Sequence, residues 1–86
     1  MPANTMSNLD LLKGAFVEVI GVDPASDFND LAYGSTVGWD SVAHMALVAA
    51  IEGAFDIMLP TDDVIDMSSF SKAKEIVAKH GISLAS

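Results

Sequence analysis

The apolar residues of this chain recur at intervals of three and four, and no segment of useful length alternates apolar and polar residues as a strand would. Such spacing places apolar side chains along one face of an α-helix. In the first segment the spacing stops at Gly21, a residue type that commonly ends helices, and it is carried by Leu9, Leu12, Ala15, Phe16, Val19 and Ile20. The pattern therefore predicts an all-α fold that begins with an amphipathic helix.

A long loop is predicted to follow, over residues 22–40. This stretch has no sustained period and contains one proline and two glycines, which is typical of loops. Loops of this length are uncommon in compact domains unless they have a function. We expect Phe28 and Leu31 to pin the loop to the core.

A second helix is predicted to begin at Ser41. Asp40-Ser41 supplies N-cap chemistry ahead of an uninterrupted helix-forming run from Val42 to Phe55. The spacing assigns the inward stripe of this helix to Leu47, Ala50, Ile51, Ala54 and Phe55.

Two more helices are predicted beyond Pro60. Thr61-Asp62-Asp63 has the composition of a cap for a short third helix that includes Val64 and Ile65. A fourth helix is expected to start after Ser68 or Ser69 and to stop at His80-Gly81. Its apolar stripe consists of Phe70, Ala73, Ile76 and Val77.

Together these segments predict one four-helix domain spanning 1–86, with three longer helices, a short third helix and a long first loop. Eighty-six residues are enough for one small core and too few for two. Residues 1–6 and 82–86 are expected to be flexible ends.

Composition limits the chemistry that such a domain can perform. The chain contains no cysteine, so disulfides, thiolate metal sites and thiol catalysis by its own side chains are excluded. Its net charge of −8 disfavours nucleic acid and anionic lipid and favours basic surfaces on other proteins. Residues 1–8 lack the pattern of a secretory signal, and no apolar run reaches membrane-spanning length. We therefore expect a cytoplasmic, monomeric protein that binds neither nucleic acid nor membranes.

The segment richest in chemistry is Gly38-Trp39-Asp40-Ser41-Val42, where the long loop meets the second helix. A serine at this junction has an exposed hydroxyl near the positive end of the helix dipole. A phosphodiester formed there would be tolerated, because unpaired backbone N–H groups at a helix N-terminus favour an anion. Asp40 adds negative charge that should attract a basic or metal-bearing modifying enzyme.

In this helical frame the chain resembles the acyl carrier protein family, in which an Asp-Ser-Leu motif opens the second helix and a transferase moves phosphopantetheine from coenzyme A onto the serine. The resemblance runs from about Leu9 to about Gly81, nearly the whole chain. The motif is matched by Asp40-Ser41-Val42, the end of the second helix by Ile51-Glu52 and Phe55-Asp56, and the third helix by the stretch from Pro60 to Phe70.

The resemblance implies a non-catalytic carrier of the four-helix acyl-carrier type. Ser41 would hold a covalent 4′-phosphopantetheine, and Asp40 would contribute to recognition by a phosphopantetheinyl transferase. Acyl, aminoacyl or polyketide intermediates would be bound as thioesters at the end of this arm. The further partners would be the enzymes that load these intermediates and the biosynthetic enzymes that use them.

The second helix departs from the pattern of fatty-acid carriers, which usually place acidic residues along its exposed face. Here the corresponding positions are Ala43, Ala46 and Gly53, and only Glu52 keeps the charge. Stand-alone carriers of polyketide or peptide pathways are therefore the better comparison. We expect partner enzymes to dock on an apolar face that comprises Val42, Met45, Ala46 and Ala49, with Trp39 and Glu52 beside it.

Trp39 also has a simpler interpretation, as an anchor that holds the loop. Family behaviour further suggests that a long acyl chain inserts between the second and third helices, near Ile51, Met58 and Ile65.

Two other functions are compatible with the residues. One is an unmodified interaction module that keeps the carrier fold and binds a basic partner through its acidic surface. The other is a Ser-His hydrolase, because His44 lies three residues after Ser41. This second alternative lacks a third orienting group and a Gly-x-Ser-x-Gly elbow. We therefore predict no catalytic residue. We also predict no metal site, because neither His44 nor His80 has metal-ligand partners at a recognisable spacing.

Overall fold

The computed structural model describes residues 7–84, which form four α-helices and one short 3-10 helix. The helices are α1 (Asn8–Ile20), α2 (Ser41–Phe55), α3 (Thr61–Asp66) and α4 (Phe70–Lys79), and the 3-10 helix spans Phe28–Asp30. Pairing of the strand type is limited, within this part of the chain, to an isolated bridge between Ala32 and Ser69. The predicted all-α fold, with three longer helices and a short third one, is confirmed.

The two chain ends are described only in part. Residues 1–6 and 85–86, which belong to the segments expected to be flexible, lie outside the described residues. Residues 82–84 follow α4, and the Asn8 side-chain amide donates a hydrogen bond to the carbonyl oxygen of Ser83 at 2.8 Å. None of the helices in the described range is both long and apolar enough to cross a bilayer.

Side-chain caps fix where α1 and α4 begin. Ser7 Oγ accepts a hydrogen bond from the backbone N–H of Asp10, whose carboxylate accepts one from the Ser7 N–H, forming a capping box. Of Ser68 and Ser69, the two predicted caps of α4, the structure shows Ser69 at the N-cap. Its Oγ accepts a hydrogen bond from the Lys72 N–H at 3.0 Å. Gly21 adopts the left-handed conformation at the end of α1, as its sequence position predicted.

The prediction for the start of α3 is wrong in its detail. Pro60 occupies the N-cap position, and no side chain caps this helix. Thr61, Asp62 and Asp63 instead form the first turn, where carboxylates interact favourably with the helix dipole. The backbone of Pro60 is extended, with φ −67° and ψ 163°.

The core is built around Phe16 of α1. Its ring packs edge-to-face against Trp39 at 5.3 Å and against Phe70 of α4 at 5.1 Å between ring centroids. Phe28 makes a similar contact with Phe70. The loop is thus anchored as predicted, since Phe28 and Leu31 are both buried.

The buried face of α2 is centred differently from the predicted stripe. Leu47, Val48 and Ile51 are buried, whereas Ala54 is exposed and Phe55 only half-buried. Ala50 is also half-buried. Positions 44, 47, 48, 51 and 55 span about 100° around the helix, whereas the predicted set spans about 140° and includes Ala50 and Ala54, which lie outside that arc.

Asp63 forms a buried ionic link between α3 and α4 that the sequence patterns did not reveal. Its side chain is almost fully buried, its Oδ1 accepts a hydrogen bond from Lys79 Nζ, and its Oδ2 lies 2.8 Å from His80 Nε2. The hydrogen bond from Lys79, followed by that from His80, holds the pKa of Asp63 below its ordinary value of 3.8. The ionised carboxylate therefore stabilises the folded state.

We expect Asp63→Asn to lower stability at neutral pH. Because the pKa of Asp63 is depressed on folding, its contribution is fully present above 3.8 and is lost as the pH falls through the lower folded-state pKa. Urea unfolding should therefore give a lower midpoint for Asp63→Asn at pH 7, and the gap to the wild type should shrink below pH 3.8. Asp62→Asn, which removes a charge from the exposed neighbouring position, is the matched control, and an equal effect there would contradict the assignment.

Candidate functional site

Gly38 brings the end of the long loop, just before α2, into close contact with α1. This residue has a φ of 91°, and a Cβ added to it would lie 2.7 Å from the carbonyl oxygen of Ile20, at the end of α1. Backbone hydrogen bonds from Trp39 N–H to Thr36 O and from Gly34 N–H to Trp39 O, both 3.1 Å, close the preceding turn. The junction between loop and helix therefore rests directly on α1.

Asp40, rather than Ser41, caps α2. Its backbone is extended, its Oδ1 accepts a hydrogen bond from the Ala43 N–H at 2.9 Å, and its carbonyl oxygen accepts from the His44 N–H at 2.8 Å. Ser41 is thus the first residue of the helix proper. Ser41 therefore does not serve as the N-cap, because Asp40 occupies that position and accepts from the Ala43 N–H.

The Ser41 side chain is exposed, and none of the hydrogen bonds in residues 7–84 involves its hydroxyl. The first backbone N–H groups of a helix have no intrahelical acceptor, so this end of α2 carries partial positive charge. The site therefore combines an accessible, unengaged hydroxyl with surroundings that suit an anion.

Trp39 does not contribute to a docking surface. Its side chain is 1% exposed and packs edge-to-face on Phe16 and Tyr33. The placement of Trp39 among the partner-binding residues is corrected by this burial, which agrees with the alternative interpretation as a loop anchor. The large aromatic side chain of Trp39, in the same loop as the buried Phe28 and Leu31, was the signal for that role.

His44 is half-buried and has both ring nitrogens engaged. Its Nδ1 accepts a hydrogen bond from Trp39 Nε1–H at 3.0 Å, and its Nε2 lies 2.8 Å from the carbonyl oxygen of Val64 in α3. Acceptance at Nδ1 places the imidazole proton on Nε2, which donates to Val64. The interpretation of Ser41 and His44 as partners on one exposed turn is wrong, and the ring has no free nitrogen with which to activate the serine.

The other predicted docking residues of α2 are exposed together. Val42 is 80% and Met45 59% exposed, and Ala46 and Ala49 are exposed as well. At 100° per residue these four positions lie on one face of the helix. We refer to Val42, Met45, Ala46 and Ala49 as the apolar strip.

Glu52 is half-buried at the far end of α2, and its role within the chain was not anticipated. Its Oε2 accepts a hydrogen bond from the Leu59 N–H at 2.8 Å. This bond ties the connection between α2 and α3 back onto α2. The carboxylate is therefore partly occupied by the fold itself.

A cleft of about 240 Å³ lies beside His44, between the loop, α2 and α3. Of the three residues expected to surround an inserted acyl chain, only Ile65 lines it, whereas Ile51 is fully buried and Met58 is 83% exposed. The cleft is lined by Tyr33, His44, Val64, Ile65, Met67 and Ser68. Among the described residues, no cluster of three histidine or acidic side chains could hold a metal ion.

Comparison with known proteins agrees with this arrangement. The family model described as the phosphopantetheine attachment site matches residues 10–77. An acyl carrier protein from Guillardia theta is 32% identical over 62 residues, which cover 72% of this chain and 76% of that protein. No solved structure matched the chain. The chain therefore belongs to the acyl carrier protein family, and it is a carrier with a covalently attached 4′-phosphopantetheine rather than a catalyst.

Proposed function

We propose that Ser41 is the residue that holds the 4′-phosphopantetheine arm, and that acyl, aminoacyl or polyketide intermediates are bound to the arm as thioesters and delivered to biosynthetic enzymes. The observation that supports this most directly is the division of roles between two adjacent residues. Asp40 caps α2 through Oδ1, so the Ser41 hydroxyl is left exposed and free to be modified.

The site fits a phosphodiester. The linkage would lie at the N-terminus of a helix of 15 residues, where the dipole and the unpaired N–H groups stabilise negative charge. When attached, the arm supplies a terminal thiol, which the chain itself lacks because it has no cysteine. The contribution of the protein is to hold Ser41 at a fixed, accessible position.

We assign the modification to a phosphopantetheinyl transferase. Asp40 supports this in a second way, because its Oδ1 accepts the cap hydrogen bond while the residue remains exposed. Its other carboxylate oxygen is thus available for a basic or metal-bearing surface of the transferase. One side chain can serve the helix and the modifying enzyme together.

The proposal is tested by incubating the wild-type protein with coenzyme A and a phosphopantetheinyl transferase. Intact-mass analysis should show the gain of one phosphopantetheine group, and peptide fragmentation should locate it on Ser41. Intact mass of protein purified from its native host would also report any bound cargo. A wild type that stays unmodified under conditions that load another carrier would instead favour the unmodified interaction module.

We further propose that the apolar strip on α2 is where partner enzymes dock. The strip follows Ser41 directly along the helix, so an enzyme that reaches the arm also meets Val42 and Met45. Exposed methionine suits a surface that adapts to several partners. Docking through apolar contact is consistent with the composition of the strip, none of whose four residues is acidic.

Met45→Glu is expected to reduce the efficiency of loading by the transferase, in kcat/KM, by about tenfold, since it puts a charge into the centre of an apolar contact. Gly14→Glu, which adds the same charge to the exposed face of α1 where no other side chain is near, should load as the wild type does. Steady-state kinetics with both variants provide the check. Equal losses in the two variants would indicate a general effect of charge and would contradict docking on the strip.

A further inference from the structure

Ser41 lies in the segment 39–44, whose two ends are joined by a hydrogen bond between side chains. Trp39, two residues before it, donates its indole Nε1–H to Nδ1 of His44, three residues after it, at 3.0 Å. The two rings are nearly parallel, with an interplanar angle of 20° and 6.1 Å between centroids. The side chains of Trp39 and His44 therefore connect the end of the long loop to the first turn of α2, with Ser41 between them.

The same imidazole also connects this turn to α3. Its Nε2–H donates to the carbonyl oxygen of Val64 at 2.8 Å, and the Tyr33 ring packs edge-to-face against it at 5.2 Å. We call the chain of hydrogen bonds from Trp39 through His44 to Val64 the latch. It joins the loop, α2 and α3 at one point next to the modification site.

We propose that His44 is a positioning residue for the modification of Ser41, acting through the latch; this inference rests on the proposed attachment at Ser41. Trp39 is fixed in the core by its burial, so a hydrogen bond from its indole holds the first turn of α2 in one orientation. The Ser41 hydroxyl is then presented in a single geometry for attack on the pantetheine-side phosphorus of the coenzyme A pyrophosphate. The new Oγ–P bond forms as the bond from that phosphorus to the bridging oxygen breaks, adenosine 3′,5′-bisphosphate leaves, and the serine proton passes to a base of the transferase. Small errors in the position of a reacting group are costly to the rate of reaction.

The chemistry of the ring explains why a histidine serves at this position. A neutral imidazole offers an acceptor and a donor on opposite sides of one rigid ring, which matches the indole N–H on one side and the carbonyl oxygen on the other. A leucine could occupy similar space but would leave the Trp39 donor and the Val64 acceptor unpaired. Substitutions at 44 can therefore separate hydrogen bonding from packing.

Three variants of His44 test the two hydrogen bonds of the latch separately. His44→Leu removes both. His44→Asn places a carbonyl oxygen near the position of Nδ1 and can still accept from Trp39. His44→Gln places an amide N–H near the position of Nε2 and can still donate to Val64. Because the Trp39 bond is the one that closes around Ser41, we expect Asn to preserve loading and Gln not to.

The experiment measures the transferase kcat with each variant as acceptor, using coenzyme A and intact mass. His44→Leu and His44→Gln should load with a kcat about tenfold below that of the wild type, and His44→Asn within about threefold of it. The KM for the carrier should change little, because the apolar strip is untouched. Since the chain has a single tryptophan, the indole N–H resonance reports the bond directly: it should stay near its wild-type position in His44→Asn and shift in His44→Leu.

A matched control separates positioning from loss of stability. Ser7→Ala removes the N-cap of α1, at the opposite end of that helix from the Ile20–Gly38 contact, and should weaken the fold without slowing the loading of Ser41. The inference is overturned if His44→Asn loads as slowly as His44→Leu, or if all three His44 variants load at the wild-type rate. It is also overturned if Ser7→Ala loads as slowly as His44→Leu. Failure of the wild type to load would overturn the proposed function instead.

Discussion

Ser41→Ala is expected to eliminate loading with phosphopantetheine while leaving the fold intact. The alanine has no oxygen that could form the phosphodiester, so the intact mass should not change with transferase and coenzyme A. The helix should tolerate the substitution because Asp40 supplies the cap hydrogen bond and alanine is the best helix former. We expect the free energy of unfolding to change by no more than about 0.5 kcal/mol, as measured by urea denaturation.

Ser35→Ala is the matched control for this substitution. Ser35 is also exposed and lies in the loop ahead of α2, so it reports whether the transferase modifies accessible hydroxyls without regard to the helix. This variant should gain one phosphopantetheine group at the wild-type rate. Modification of Ser41→Ala, or a loss of loading in Ser35→Ala, would refute the assignment of the site.

The end of α1 and the starts of α2 and α4 could be predicted from the sequence because local chemistry determines them. Gly21 ends α1 through its left-handed conformation, and Ser69 and Asp40 begin α4 and α2 through caps to residues three positions ahead. Such interactions lie within one turn of the chain, so the residue types are visible in sequence order. The exposure of Ser41 followed from the same reasoning.

The supporting side chains of the site could not be predicted in this way. The partner of His44 in α3 is 20 residues away, and those of Asp63 are 16 and 17 residues away. Nothing in local spacing shows which elements meet. One signal was nevertheless available for His44: position 44 lies on the same helical face as Leu47, Val48 and Ile51, so the repeat indicates a histidine that faces inward.

Residues outside the Asp-Ser motif contribute to the geometry of the site. The Asp-Ser pair marks the proposed attachment site, and the contacts around the pair come from Gly38 and Trp39 before it and from His44 after it. Two of these contacts reach other helices, to Ile20 in α1 and to Val64 in α3. The geometry of the site is thus a property of the whole helical core rather than of the motif alone.

Gly38→Ala is expected to destabilise the fold more than the same substitution at Gly34, the other glycine of the loop with a positive φ. The positive φ of Gly38 disfavours an L side chain, and the added Cβ would lie 2.7 Å from the carbonyl oxygen of Ile20, closer than such atoms can approach. Because that oxygen belongs to the backbone, the loop or the end of α1 must move. We expect a loss of about 3 kcal/mol in the free energy of unfolding, measured by urea denaturation.

Gly34→Ala separates the two causes of this loss. Gly34 has a similar φ of 83°, but a Cβ there would meet nothing within 4 Å, so this variant carries the conformational cost of about 1–2 kcal/mol alone. The difference between the variants measures the collision with Ile20, and equal losses would contradict it. Since Gly38 lies three residues before Ser41, the backbone shift that relieves the collision should also displace the hydroxyl. Loading of Gly38→Ala should therefore be slower than that of Gly34→Ala even where both are fully folded, because the close contact with α1 sets the position of Ser41 as well as the stability of the loop.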